Sequence, residues 1–291
     1  MNVSRLTLFL LGVVMTMLAL AGCGSTPATN TDGNITLQFA FKAGEEDVAC
    51  GKKVAGLGSA GTTAEFTDLR FYVSNVRLIN EQGEAVPLEL EQDGLWQSES
   101  TALLDFEDAS ASCSENGTSE VRDTVVGTVP AGMYNEIVFE LGVPFEVNHA
   151  DVTTAPSPLN VSALWWNWQG GYKFARIDML TDQPENNAWL IHLGSTGCES
   201  EDKNTPATTC NKPNRPEIRL SDFDPQKSVI VADVASLLAN INISESTPKP
   251  PGCMSGPDDP DCTNLIAGFG LVQASGQCEN GCAQQAFFRL Q

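Results

Sequence analysis

The chain contains two histidines, His149 and His192. His149 lies in Asn148-His149-Ala150-Asp151, a polar stretch after an apolar one. His192 lies in Trp189-Leu-Ile-His192-Leu-Gly-Ser-Thr-Gly-Cys198, near the end of an apolar run. Neutral imidazole suits copper, zinc, iron and nickel. The separation is not the one-turn spacing of a helical zinc site, and composition alone reads both as structural or surface histidines. Three of the five tryptophans crowd into Trp165-Trp166-Asn-Trp168, followed by Gln169-Gly-Gly-Tyr172. Such a cluster commonly forms a packed aromatic layer. An exposed carbohydrate platform is another ordinary use, and chemical conversion of a tryptophan a rarer one. Other chemistry is thin. No Gly-x-Ser-x-Gly elbow, P-loop or nucleotide-binding glycine fingerprint occurs. Carboxylates are abundant, so a hydrolase cannot be dismissed by counting, but no motif supports one. The chain therefore reads as a binding protein, not an enzyme. Asp258-Asp259-Pro260-Asp261 lacks EF-hand spacing and reads as a solvated acidic loop.

Nine cysteines bear on compartment. Arg5 and the apolar run Leu8–Leu20 precede Leu20-Ala21-Gly22-Cys23, which is similar to a bacterial lipoprotein box. Residues 1–22 are thus expected to be a cleaved signal and Cys23 a lipidated N-terminus. Gly24 follows in place of Asp, which favours outer-membrane sorting. Residues 23–33 read as a tether. The remaining cysteines are Cys50, Cys113, Cys198, Cys210, Cys253, Cys262, Cys278 and Cys282, an even set that implies four disulfides in an exported protein. Cys198 and Cys210 bracket a polar loop and are expected to pair. No pair of Cys-x-x-Cys knuckles argues for zinc.

Positioning these residues is work for strands. Ile35, Leu37, Phe39 and Phe41 alternate over 34–41, and Ile137, Phe139 and Leu141 alternate over 134–141, each marking one buried face. Further strands are expected at 66–80, 85–90, 121–129, 172–180, 188–193, 217–223, 229–232 and 283–290. Helical signals are weak, with short helices expected only within 158–168 and 233–239. Turn residues punctuate the chain about every ten positions, which predicts an all-β fold, a β-sandwich or barrel-like set of antiparallel sheets stapled by disulfides. The proline-rich stretch 244–260 is expected to separate a β domain over 34–243 from a Pro/Cys-rich C-terminal extension over 244–291, completing or packing on that domain. A net charge of −21 leaves no basic footprint for nucleic acid.

Several motifs in order resemble one family. They are Leu69-Arg-Phe-Tyr-Val-Ser-Asn-Val-Arg-Leu78, Leu103-Leu-Asp105-Phe, Leu141-Gly-Val-Pro-Phe-Glu-Val-Asn-His149-Ala-Asp151, Pro158-Leu-Asn160, Trp166-Asn-Trp168-Gln-Gly-Gly-Tyr-Lys-Phe174 and His192-Leu-Gly-Ser-Thr-Gly-Cys198. Together they resemble the MbnP family of methanobactin-associated periplasmic copper proteins, over roughly 34–240. The resemblance implies a β-rich fold and one copper ion held by two histidines with kynurenine. Kynurenine is made by oxidising a tryptophan, in that family by a di-haem partner of the cytochrome c peroxidase superfamily (MbnH). The matching residues are His149 and His192, with Trp166 or Trp168 as the converted tryptophan and Trp189 a weaker candidate. The matching cysteines are Cys50, Cys113, Cys198 and Cys210. Indole N–H is a donor only, whereas opening its pyrrole ring leaves an aryl amine able to coordinate. Asn148 and Asp151 are expected to orient His149. The alternative is a metal-free surface lipoprotein that binds carbohydrate or protein through the tryptophan cluster.

Overall fold

The computed structural model describes residues 29–30, 33–115, 117–183, 187–202, 205–245 and 251–291. The expected signal segment 1–22, Cys23 and most of the expected tether lie outside them.

Two β-sheets stack face to face. The larger is organised by one strand, Thr62–Asn80. Its residues 73–80 pair antiparallel with Gly132–Leu141, and its residues 64–71 with Ala175–Thr181. Lys53–Leu57, Thr101–Asp105 and Ala85–Pro87 pair with the same strand. Ala175–Thr181 continues outward to Ala188–Leu193, so His192 stands opposite Arg176. The smaller sheet is built on Asn34–Ala43, flanked by Thr124–Thr128 antiparallel and Val229–Asp233 parallel. The period-two pattern read from 34–41 and 134–141 is the buried face in both cases. A layer of phenylalanines fills the space between. Phe39 meets Phe71 and Phe139 edge-on at 6.2 and 6.0 Å, and Phe288 meets the same two rings at 5.5 and 5.1 Å. Edge-to-face pairs of this kind add to the area term of burial.

The C-terminal extension is woven into both sheets. Gly252–Cys253 adds a parallel strand beside Leu190 and Ile191. Phe288–Leu290 pairs with Val229–Asp233. Phe269, Phe287 and Phe288 are core residues. The extension contributes an unexpected helix, Cys262–Gly268, whose buried residues Cys262, Leu265 and Ile266 follow i, i+3, i+4 spacing.

The helix expected within 158–168 is mostly absent. Only Ser162–Leu164 forms a helical turn, and Trp165–Asn167 then pairs with Gly171–Tyr172. The reason is local. Asn167 Oδ1 accepts from the backbone N–H of Gln169 and Gly170, closing an Asx-type turn that competes with helix. Gly171 follows at φ +68°, against Asn148, where a Cβ would come within 2.5 Å of the Asn148 carbonyl. The helix at Val234–Leu238 forms as expected, capped by the Asp233 carboxylate, which accepts from Ser236 N–H.

Four disulfides join Cys50 to Cys113, Cys198 to Cys210, Cys253 to Cys262, and Cys278 to Cys282. The pair expected around the polar loop is therefore formed, on a hairpin of Thr196–Glu199 with Thr209–Lys212.

Candidate metal centre

The hairpin Trp165–Tyr172 is a neighbour of both imidazoles, through the Trp168 carbonyl and the Trp166 ring. On one side, His149 Nδ1 donates to the Trp168 carbonyl at 3.1 Å. Asn148 is buried, and its Oδ1 accepts the Tyr172 backbone N–H at 2.9 Å. That bond orients the amide so that Nδ2 faces His149 Nε2 at 3.1 Å. The His149 ring thus carries its proton on Nδ1 and a lone pair on Nε2. Cys210 Sγ lies 3.4 Å from the same Nε2. Burial lowers the His149 pKa below its ordinary value, with the Trp168 carbonyl acting weakly in the other direction.

On the other side, His192 Nε2 lies 2.8 Å from Asp178 Oδ1. A carboxylate only accepts, so Nε2 holds the proton and Nδ1 keeps a lone pair. Nδ1 is buried and has no hydrogen-bond partner among the described residues. Burying such a group unpaired is costly, and a carboxylate behind an imidazole is the usual arrangement at metal-ligating histidines. Asp178 is itself held at 2.7 Å by Arg176 Nε, and Arg176 reaches Asp68 at 3.2 Å. Asp68 pairs with buried Arg70, which faces Glu107 at 3.6 Å. Burial raises the Asp178 pKa, but the hydrogen bonds from His192 and Arg176 and the Arg176 charge outweigh it and hold the carboxyl below the ordinary value.

The tryptophans divide between these sides. The Trp166 ring centre is 6.5 Å from that of His192. It rests on Gly194, where a Cβ would come within 2.4 Å of the indole. Trp168 instead meets Trp165 edge-on at 5.8 Å. Trp189 is three residues from His192 on the same strand, so it points to the opposite face. It is buried there, and its indole N–H donates to the Glu245 carbonyl. Trp166, Gly170, Cys198 and Met254 line a groove of about 360 Å³ open to solvent.

No cluster of three or more His, Cys, Asp or Glu side chains among the described residues includes both imidazoles. The cluster around His149 contains Cys198 and Cys210, whose sulfurs are bonded to each other. Asp151, expected to orient His149, instead accepts from Thr153 N–H and Oγ–H. The residue missed from sequence is Asp178. Its place on a strand two residues from Arg176 was visible, but its approach to His192 depends on the register of two strands.

A family model described as MbnP matches residues 32–255. Among solved structures, MbnP from Methylosinus trichosporium is similar, with a TM-score of 0.77 and 29% identity. That likeness covers 90% of this chain and 98% of that one. No curated protein matches.

Proposed function

The chain belongs to the MbnP family, and on that premise we propose that it is an exported copper-binding lipoprotein whose cargo ion is held by His149, His192 and a kynurenine made from Trp166. The observation that carries the reading is the buried, unpartnered Nδ1 of His192, aligned by Asp178 and neighboured by the Trp166 ring. Each imidazole has one nitrogen lone pair set by its hydrogen bonds: Nδ1 of His192, which has no partner among the described residues, and Nε2 of His149, which the ion would take over from the Asn148 amide N–H. Neutral nitrogen donors suit copper, which heads the divalent affinity order. An intact indole adds no lone pair, so the site needs the converted ring to gain a third nitrogen. The exposed groove at Trp166 is where a di-haem peroxidase-like partner would approach. Cys23 would anchor the chain in the outer membrane, facing the periplasm, and the role is copper acquisition, storage or transfer without catalysis.

Co-expression with such a partner tests this. The matured chain is expected to retain about one copper per molecule through gel filtration, and His192→Ala to lose it. Equal copper retention by wild type, His149→Ala and His192→Ala would reject histidine ligation.

A further inference from the structure

The Cys198–Cys210 disulfide is placed unlike the other three. Each of the others has at least one fully buried sulfur residue, Cys113, Cys253 with Cys262, or Cys282, whereas Cys198 and Cys210 are both partly exposed. Cys198 lines the Trp166 groove. The ligand atoms of Cys198, Cys210 and His149 all lie within 4.8 Å of one another. The imidazole atom facing the sulfurs is Nε2, the one that carries the lone pair.

Backbone pairing would keep this grouping in place without the S–S bond. Cys198 stands directly opposite Cys210, between the pairs Thr196–Lys212 and Glu199–Thr209. Ser195 Oγ donates to the Pro213 carbonyl, and Asn214 Nδ2 to the Gly194 carbonyl, so the two hairpin arms are also tied to each other at their base. Two thiolates and an imidazole form a soft donor set, and soft thiolate ligands select Cu(I).

We propose that Cys198, Cys210 and His149 form a redox-gated site for Cu(I), closed as the disulfide and opened by a dithiol reductant. In opening, a thiolate of the reductant forms a bond to one bridge sulfur as the Cys198–Cys210 bond breaks. The second thiol of the reductant then displaces that mixed disulfide. The reductant leaves as its own disulfide, and the protein gains two electrons and two protons as two thiols. Cu(I) replaces the thiol protons, which pass to solvent, and the metal keeps its oxidation state. The site shares His149 with the kynurenine centre but needs neither a converted tryptophan nor His192.

The test uses the full chain made without any di-haem partner. It is reduced with dithiothreitol, freed of reductant under nitrogen, and titrated with Cu(I) against bicinchoninate. An alkylated aliquot is mapped by mass. The expected result is alkylation of Cys198 and Cys210, protection of both by a single Cu(I), and an unchanged far-ultraviolet circular dichroism spectrum. The oxidised chain should bind Cu(I) at least tenfold more weakly. His149→Ala keeps the disulfide and should cost the reduced chain about tenfold or more in affinity, no less than loss of an outer-shell partner does elsewhere. His192→Ala should bind as wild type does. The proposal is overturned if other bridges open first, if the reduced chain unfolds, if oxidised and reduced chains bind alike, or if His149→Ala changes nothing. Loss of binding in His192→Ala would also overturn it, by assigning the ion to the histidine pair. Failure on any of these counts leaves copper retention by the matured chain untouched, so the two readings fall separately.

Discussion

The two histidines are held by different physics. His192 is backed by an ionic chain, Asp178, Arg176, Asp68 and Arg70, buried in the larger sheet. His149 is backed by neutral groups, the Trp168 carbonyl and the Asn148 amide, beside a disulfide. An imidazole fixed by a carboxylate on paired strands is a rigid donor of constant tautomer. One fixed by a hairpin carbonyl moves with the hairpin. His149 is thus neighboured by Trp168 and Cys210, on hairpins outside the main sheets, and His192 stands within the larger sheet.

The largest effect should come from the ionic side. Asp178→Ala strips the partner from His192 and one of the two carboxylates from Arg176, and breaking a buried pair in this way costs about 3–5 kcal/mol. Chemical denaturation measures it, and a loss below about 1 kcal/mol would show that the chain of charges does not hold the sheet. Next is the disulfide beside His149. With a sequence separation of 12 between its cysteines, Cys198→Ser should destabilise by about 3 kcal/mol, and unchanged thermal melting would contradict a stabilising bridge. Asn148→Ala leaves the Tyr172 N–H and His149 Nε2 without their partners and should cost about 1–3 kcal/mol. Its effect on copper affinity should exceed that of Asp151→Ala, because Asp151 serves only Thr153; the reverse order, read by competitive titration, would undo the assignment on the neutral side.

Two pH effects separate the sides further. Asp105 lies near Arg70 in the ionic chain, and burial pushes its pKa up to about 8, the Arg70 charge offsetting only part of this. The folded state therefore holds a proton that the unfolded state releases above the ordinary value of 3.8. Stability from this group is complete at low pH and declines as pH rises from about 4 towards 8. Asp105→Asn should flatten that decline in a melting-temperature series, and an unchanged slope would remove Asp105 as its source. On the neutral side, His149 has a lowered pKa, so it stays unprotonated below the ordinary imidazole value of 6.5. Copper affinity should fall with pH only below that value, since protonated imidazole does not coordinate.

The same division governs what could be read from sequence. Strands with strict alternation, such as 34–41, and the short helix within 233–239 were legible because local rules decide them. So was the opposed pair Cys198 and Cys210, which a short polar loop brings together. The motif order pointed to both histidines and to the tryptophan cluster. The Asp178–His192 contact was not legible, because it depends on two strands pairing with Arg176 opposite His192. Nor was the hairpin at Trp165, where the Asn167 side chain diverts an apparently helical stretch. The woven C-terminal extension was hidden by its prolines and cysteines, although Leu265 and Ile266 carried a helical signal.

The account depends most on Trp166 being the indole reworked beside His192. Tandem mass spectrometry of peptides from the chain co-expressed with a di-haem peroxidase-like protein tests this most directly. The expected result is a gain of about 4 Da, two oxygens in and one carbon monoxide equivalent out, confined to Trp166. A matured, copper-retaining chain with no such gain, or with the gain at Trp168, would contradict it.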